Sequence, residues 1–79
     1  MNNFDQLKGT YKHYKGNLYE VIGQVVHSET YEQMILYRTL TGSAEYPAGT
    51  YWVRPKEMFL GTVENNGVIV KRFEKINEL

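Results

Sequence analysis

"LYEVIGQVVHSETYEQMILYRTL", residues 18–40, is the stretch on which the fold turns. Leu18 to His27 reads as one long strand, dense in β-branched and aromatic residues. Tyr19, Val21, Val25 and His27 share one parity, and Leu18, Glu20, Ile22, Gln24 and Val26 the other, so neither face is cleanly polar. Gly23 interrupts the strand where a bulge would swap its faces, which predicts a strand that serves both halves of a small rolled sheet. "SETYEQ" then turns the chain into "MILYRTL". There the periodicity leaves two candidate buried sets: Ile35, Tyr37 and Thr39, or Met34, Leu36, Arg38 and Leu40.

Working outward, "TYKHYK" (10–15) predicts a short strand, and the following "KGN" supplies a turn. Downstream, the breaker-rich loop "TGSAEYPAGT" leads to "YWVR", where Tyr51 and Val53 point one way and Trp52 and Arg54 the other. Pro55 in "RPKEMF" suits the first position of a helical turn, whose Met58 and Phe59 would plug an open barrel end. "ENNGV" is a hairpin turn signal, and "VIVKRF" is the final strand. Tyr19, Met58, Phe59, Val68 and Val70 are assigned to the core. Seven tyrosines, three phenylalanines, one tryptophan and seven glycines agree with many short strands. The fold expected is all-β in the main: a small SH3-like β-barrel of five to six strands with one short helical turn, an OB-like barrel being the second choice.

At 79 residues the chain is a single domain, 1–79, with an economical core, since a chain this short buries only about 60% of its unfolded surface. Nine basic side chains balance nine acidic ones, so no long-range field favours duplex DNA. With no cysteine there is no disulfide, thiolate nucleophile or thiolate metal site. "MNNFDQLKG" does not resemble a secretory signal, and the longest apolar run, Met34 to Tyr37, falls far short of the roughly 20 residues a membrane span requires. The expectation is a cytoplasmic, soluble domain, monomeric or weakly dimeric.

"GTYKHYKGNLYEVIGQVVHSET", "ILYRTL", "YWVRPKEMF" and "VKRF" together resemble a bacterial family known as domain of unknown function 1653, over about Gly9 to Ile76. The resemblance implies a compact β domain whose recurring polar positions fall on His13, Lys15, Gly16, His27, Ser28, Glu29, Thr30, Tyr37, Arg38, Arg54 and Pro55. It assigns no activity. The loop from Thr41 to Thr50 departs from the family pattern in being longer than the usual tight connection.

His27, Ser28 and Glu29 are the residue types of a hydrolytic site, but neighbours on a strand point to opposite faces and no nucleophile elbow or oxyanion hole is evident. Ser28 and Thr30 read instead as hydroxyls bonded to their own backbone at a corner. His13, His27 and Glu29 would need the fold to assemble them as metal ligands, with no local spacing in support, so neither a metal nor a cofactor is expected. Glu29 could brace Arg38 or Arg54; equally, His27, Ser28, Glu29, Thr30, Arg38 and Arg54 at one barrel edge, with Trp52 as a flat wall, would offer donors to a small anionic or nucleotide-like ligand. Tyr11, Lys12, His13 and Lys15 interleave aromatic and basic side chains as RNA-binding surfaces do, and Lys71, Arg72 and Lys75 add charge, provided that the segments form one patch. Tyr46, Tyr51 and Trp52 could form a peptide groove. The reading is a recognition module for a small anion, a nucleotide-like group or RNA. The alternatives are an enzyme of unknown reaction using His27 and Glu29, and a protein or peptide-interaction module.

Overall fold

The computed structural model describes residues 7–77. In chain order the described residues form β1 (Gly9–His13), β2 (Leu18–Val26), β3 (Gln33–Thr39), β4 (Tyr51–Pro55), the short helix α1 (Lys56–Leu60), β5 (Thr62–Asn65), β6 (Val68–Lys71) and β7 (Phe73–Asn77). Five strands make an antiparallel sheet in the order β4-β3-β2-β1-β7, and β5 and β6 pair as a separate hairpin. Among the described residues the domain is thus mostly β with a short helix at Lys56–Leu60, as its strand-forming composition predicts.

The bulge expected at Gly23 is present, the β2–β3 register shifting between Val21 and Gly23. Tyr19 and Val21 oppose Thr39 and Tyr37, whereas beyond the shift Gln24 opposes Ile35, so the strand changes its inward parity once. This settles which set of β3 faces the core: Ile35, Tyr37 and Thr39 are buried, with Met34 joining them at the start of the strand. Cross-strand pairing then puts Trp52 and Arg54 on the same, concave face of the sheet as Tyr37 and Ile35. Tyr51, Val53 and Arg38 occupy the convex face.

The sheet rolls until its two ends meet. Arg54 on β4 lies with its guanidinium carbon 5.3 Å from the ring centre of Phe73 on β7, although these strands end the ladder on opposite sides. Among the described residues no hydrogen-bonded ladder joins β4 to β7, so the roll is not a closed barrel. α1 fills the seam. Phe59 stacks on Phe73 at 4.1 Å and meets Tyr11 and Tyr37 at 5.2 and 5.3 Å. Each such ring pair adds about 0.5–1.5 kcal/mol to what burial alone contributes. The core is Tyr11, Val21, Ile35, Tyr37, Phe59 and Phe73, with Leu7, Tyr19 and Trp52 packed against it.

Three expectations need correction. Met58 is exposed, because adjacent helical residues diverge by about 100° and Phe59 takes the inward position. Val68 is exposed on the projecting β5–β6 hairpin, whose turn at Asn66 (φ 54°) and Gly67 (φ 80°) has the two positive φ angles of a type I′ connection. "VIVKRF" is not one strand: it breaks at Arg72, so that Val68–Lys71 pairs with β5 while Phe73–Asn77 pairs with β1.

Candidate anion-binding face

His13 closes β1 and pairs with Phe73, which begins β7. Its imidazole packs edge-on to Phe73 and Tyr19 at 4.9 and 6.3 Å and lies against Tyr14 at 4.5 Å. The backbone N–H of Lys15 donates to its Nδ1 at 3.2 Å, which makes Nε2 the protonated nitrogen of the neutral ring. Arg54 reaches the same place from β4, its guanidinium over Phe73 and beside the Tyr37 hydroxyl. Arg72 reaches it from the break between β6 and β7. That break is clamped by two backbone bonds, Tyr14 N–H to the Arg72 carbonyl and Arg72 N–H to the Gly61 carbonyl, both 3.0 Å.

These are cations without a counter-ion. Arg54 and Arg72 have no acidic partner among the described residues, and the Nε of Arg72 is sealed from solvent with no hydrogen-bond partner. Burial lowers the His13 pKa, and Arg54, Lys15 and Arg72 lower it further. Burial raises the Tyr37 pKa, with Arg54 and Arg72 pulling the other way. Buried donors are normally satisfied, and each exception calls for a cause. Next along the same face Trp52 donates from Nε1 to Thr39 Oγ1 at 2.8 Å, and Tyr46 packs edge-on to it at 4.8 Å. The loop from Thr41 to Thr50 holds Tyr46 in place through the Ser43 N–H bond to the Tyr46 carbonyl. This part of the concave face therefore combines three cationic or protonatable groups with flat rings.

The His13 shift makes stability pH-dependent. Because the folded state disfavours the imidazolium, the unfolded chain binds more protons between the lowered pKa and the ordinary 6.5. The full stability is present above that ordinary value, falls as pH drops through the window, and levels off once both states are protonated. A series of melting temperatures should show this slope in the wild type and its loss in His13→Gln.

The residues nominated from sequence separate into different places. His27, Ser28, Glu29 and Thr30 lie exposed in the β2–β3 loop, where His27 Nδ1 accepts the N–H groups of Glu29 and Thr30 at 3.1 and 3.3 Å. Thr30 Oγ1 likewise accepts from the Glu32 N–H at 3.2 Å. That imidazole is engaged in holding its own turn rather than in activating Ser28. Arg38 pairs with Glu20 at 2.6 Å on the convex face, and Arg54 sits on the concave one. The single rim uniting His27, Arg38 and Arg54 is therefore not formed: strand parity separates the two arginines, and the length of β3 separates Arg38 from the loop. Glu29 braces neither arginine. Tyr51 and Trp52 face opposite ways and make no common groove. Tyr11 is buried in the core, its hydroxyl donating to the Leu7 carbonyl at 2.8 Å, so it presents no stacking surface. Lys12 and Lys15 are exposed. His13 and His27 stand at opposite ends of β2, and among the described residues no three histidine or acidic groups cluster as a metal site. Arg72, absent from the sequence-derived ligand set, had one legible signal: a charged pair, Lys71-Arg72, inside an otherwise apolar strand pattern.

Fold and face together define a small all-β module with a basic, aromatic concave surface. The chain belongs to the family described as Protein of unknown function (DUF1653), whose model matches residues 9–75. It is similar to the crystal structure of a protein of that family from Bordetella bronchiseptica, with 28% identity, a TM-score of 0.78, and coverage of 91% of this chain and 88% of the other. None of the curated proteins matches. No helix among the described residues is long and apolar enough to cross a membrane.

Proposed function

We propose that this domain is a binding module for an anionic ligand carrying a flat ring, a nucleotide-like group, held on the concave face beside His13, Arg54 and Arg72. Arg54 and Arg72 supply guanidinium donors, His13 supplies Nε2–H, and Trp52 supplies a wall about 7 Å along the strand from Arg54. The observation that carries the reading is the gathering of Arg72, Arg54 and His13 with no acidic partner among the described residues. An oxyanion placed beside these groups offsets the mutual repulsion of the cations.

An anion among these groups also favours the imidazolium, so binding should strengthen as pH falls through the His13 titration and should raise its pKa. The test is titration of the protein with inorganic phosphate and with a nucleoside monophosphate, following the His13 ring resonances by NMR across pH. Both ligands should move those resonances and raise the apparent pKa, the nucleotide also perturbing the Trp52 indole. Unchanged His13 resonances with both ligands would remove the proposal.

A further inference from the structure

A second surface adjoins the anion-binding face. Lys12, Tyr14, Asn65, Lys71 and Glu74, together with His13, line a cleft of about 480 Å³ between the β1–β7 edge and the β5–β6 hairpin. That is a volume typical of sites for small organic groups. The pairings make the two surfaces neighbours: Lys12 precedes His13, Lys71 precedes Arg72, and the Tyr14 N–H to Arg72 carbonyl bond pins the two segments together. Lys12 and Lys71 line the cleft, His13 borders both surfaces, and Arg72 lies close enough to His13 to lower its pKa together with Arg54. Of the nine basic residues, Lys12, Lys15, Arg54, Lys71 and Arg72 thus gather at one corner, whereas Glu74 is the acidic residue that lines the cleft. The neutral total charge conceals a basic corner.

Resting on the reading above, we infer that the ligand of this face is a single strand of nucleic acid, one nucleotide held by Arg54, Arg72 and His13 and its neighbour by Lys12, Lys71 and Tyr14 in the cleft. Stacking surfaces alternate with cations along this path: Tyr46 and Trp52, then the arginines, then Tyr14 with Lys15 Nζ 5.8 Å from its ring centre. Bases stack on such rings without regard to sequence, while phosphates pair with the cations between them. Asn65 adds an amide for the edge of a base, and Glu74 can accept from an exocyclic amine. Strand alternation sets Lys12 and His13 on opposite faces of the sheet, so the path bends round the corner. A flexible single strand can follow that bend; a rigid duplex cannot. An acidic peptide would meet the same charge but would have no use for the alternating rings.

The experiment is fluorescence anisotropy with a labelled short oligouridylate, competed by the matching duplex and by polyglutamate, on wild type, Lys12→Glu/Lys71→Glu and Tyr14→Leu. The single strand should bind with an affinity that falls with salt at a slope near that of ~2–3 neutralised phosphates. It should lose more than about tenfold in affinity in each variant, while the His13 response to inorganic phosphate persists in the lysine double variant. Unaltered strand affinity in both variants, or competition by the duplex or by polyglutamate as effective as by the unlabelled strand, would overturn the inference and leave the phosphate site standing. Loss of the phosphate response in the wild type would instead overturn the site itself.

Discussion

Phe59→Ala is expected to leave the chain largely unfolded at room temperature. The ring is 1% exposed, stacks on Phe73, and joins Tyr11 to Tyr37 across the seam that the strand ladder leaves open. Truncating a buried phenylalanine costs about 3–5 kcal/mol, part of it lost transfer energy and part the cavity that remains. Domains in general hold about 0.05–0.15 kcal/mol per residue, so at this length the whole folded state stands on a margin of the same order. The fold has little means of collapsing onto the gap, because the walls of the cavity are rings anchored in separate strands. Phe59→Leu should keep the chain folded with a lowered midpoint, since it retains most of the apolar volume. Circular dichroism melts decide the matter. A cooperative transition for Phe59→Ala within a few degrees of wild type would show that α1 is an ornament on the sheet and not its plug.

The second large effect has the opposite sign. Arg72→Met should raise stability while abolishing the response of His13 to phosphate. The side chain brings a buried Nε with nothing to bond, and it adds to the positive field that already depresses the His13 pKa. Leaving such a donor unsatisfied costs about 1–3 kcal/mol, and methionine removes it while retaining the apolar stem. A gain of about 1 kcal/mol corresponds to a melting temperature roughly 4–8 °C higher in a domain of this size. Arg38→Met provides the contrast, because its partner Glu20 is on the convex face and the Arg38 side chain is 42% exposed. Removing that pair should cost at most about 1 kcal/mol and leave phosphate binding untouched. If Arg72→Met instead melted lower and still responded to phosphate, Arg72 would be a brace, and the proposed site would lose its central donor. A residue that costs the fold stability and serves only a ligand is the pattern expected of a binding site.

Most of the strands and turns, and the mostly β class, were legible in local sequence. Aromatic and β-branched runs, the bulge at Gly23, the Asn66-Gly67 turn and the helical turn after Pro55 all depend on local backbone preferences, and these act over a few residues wherever the chain is going. They fixed the mostly β class and placed Trp52 and Arg54 on one side of their strand. Which groups share a site was decided only by the tertiary structure. Arg38 and Arg54 look equivalent as exposed arginines on adjacent strands, yet pairing parity assigns them to opposite faces. His27 looks chemical in sequence, but its turn occupies its Nδ1. His13, Arg54 and Arg72 come from strands remote in the chain and meet because the sheet rolls until β4 faces β7 and because "VIVKRF" breaks at Arg72. Rolling and breakage answer to the burial of Phe59 and Phe73 against one another, a long-range contact to which no short window of sequence is sensitive.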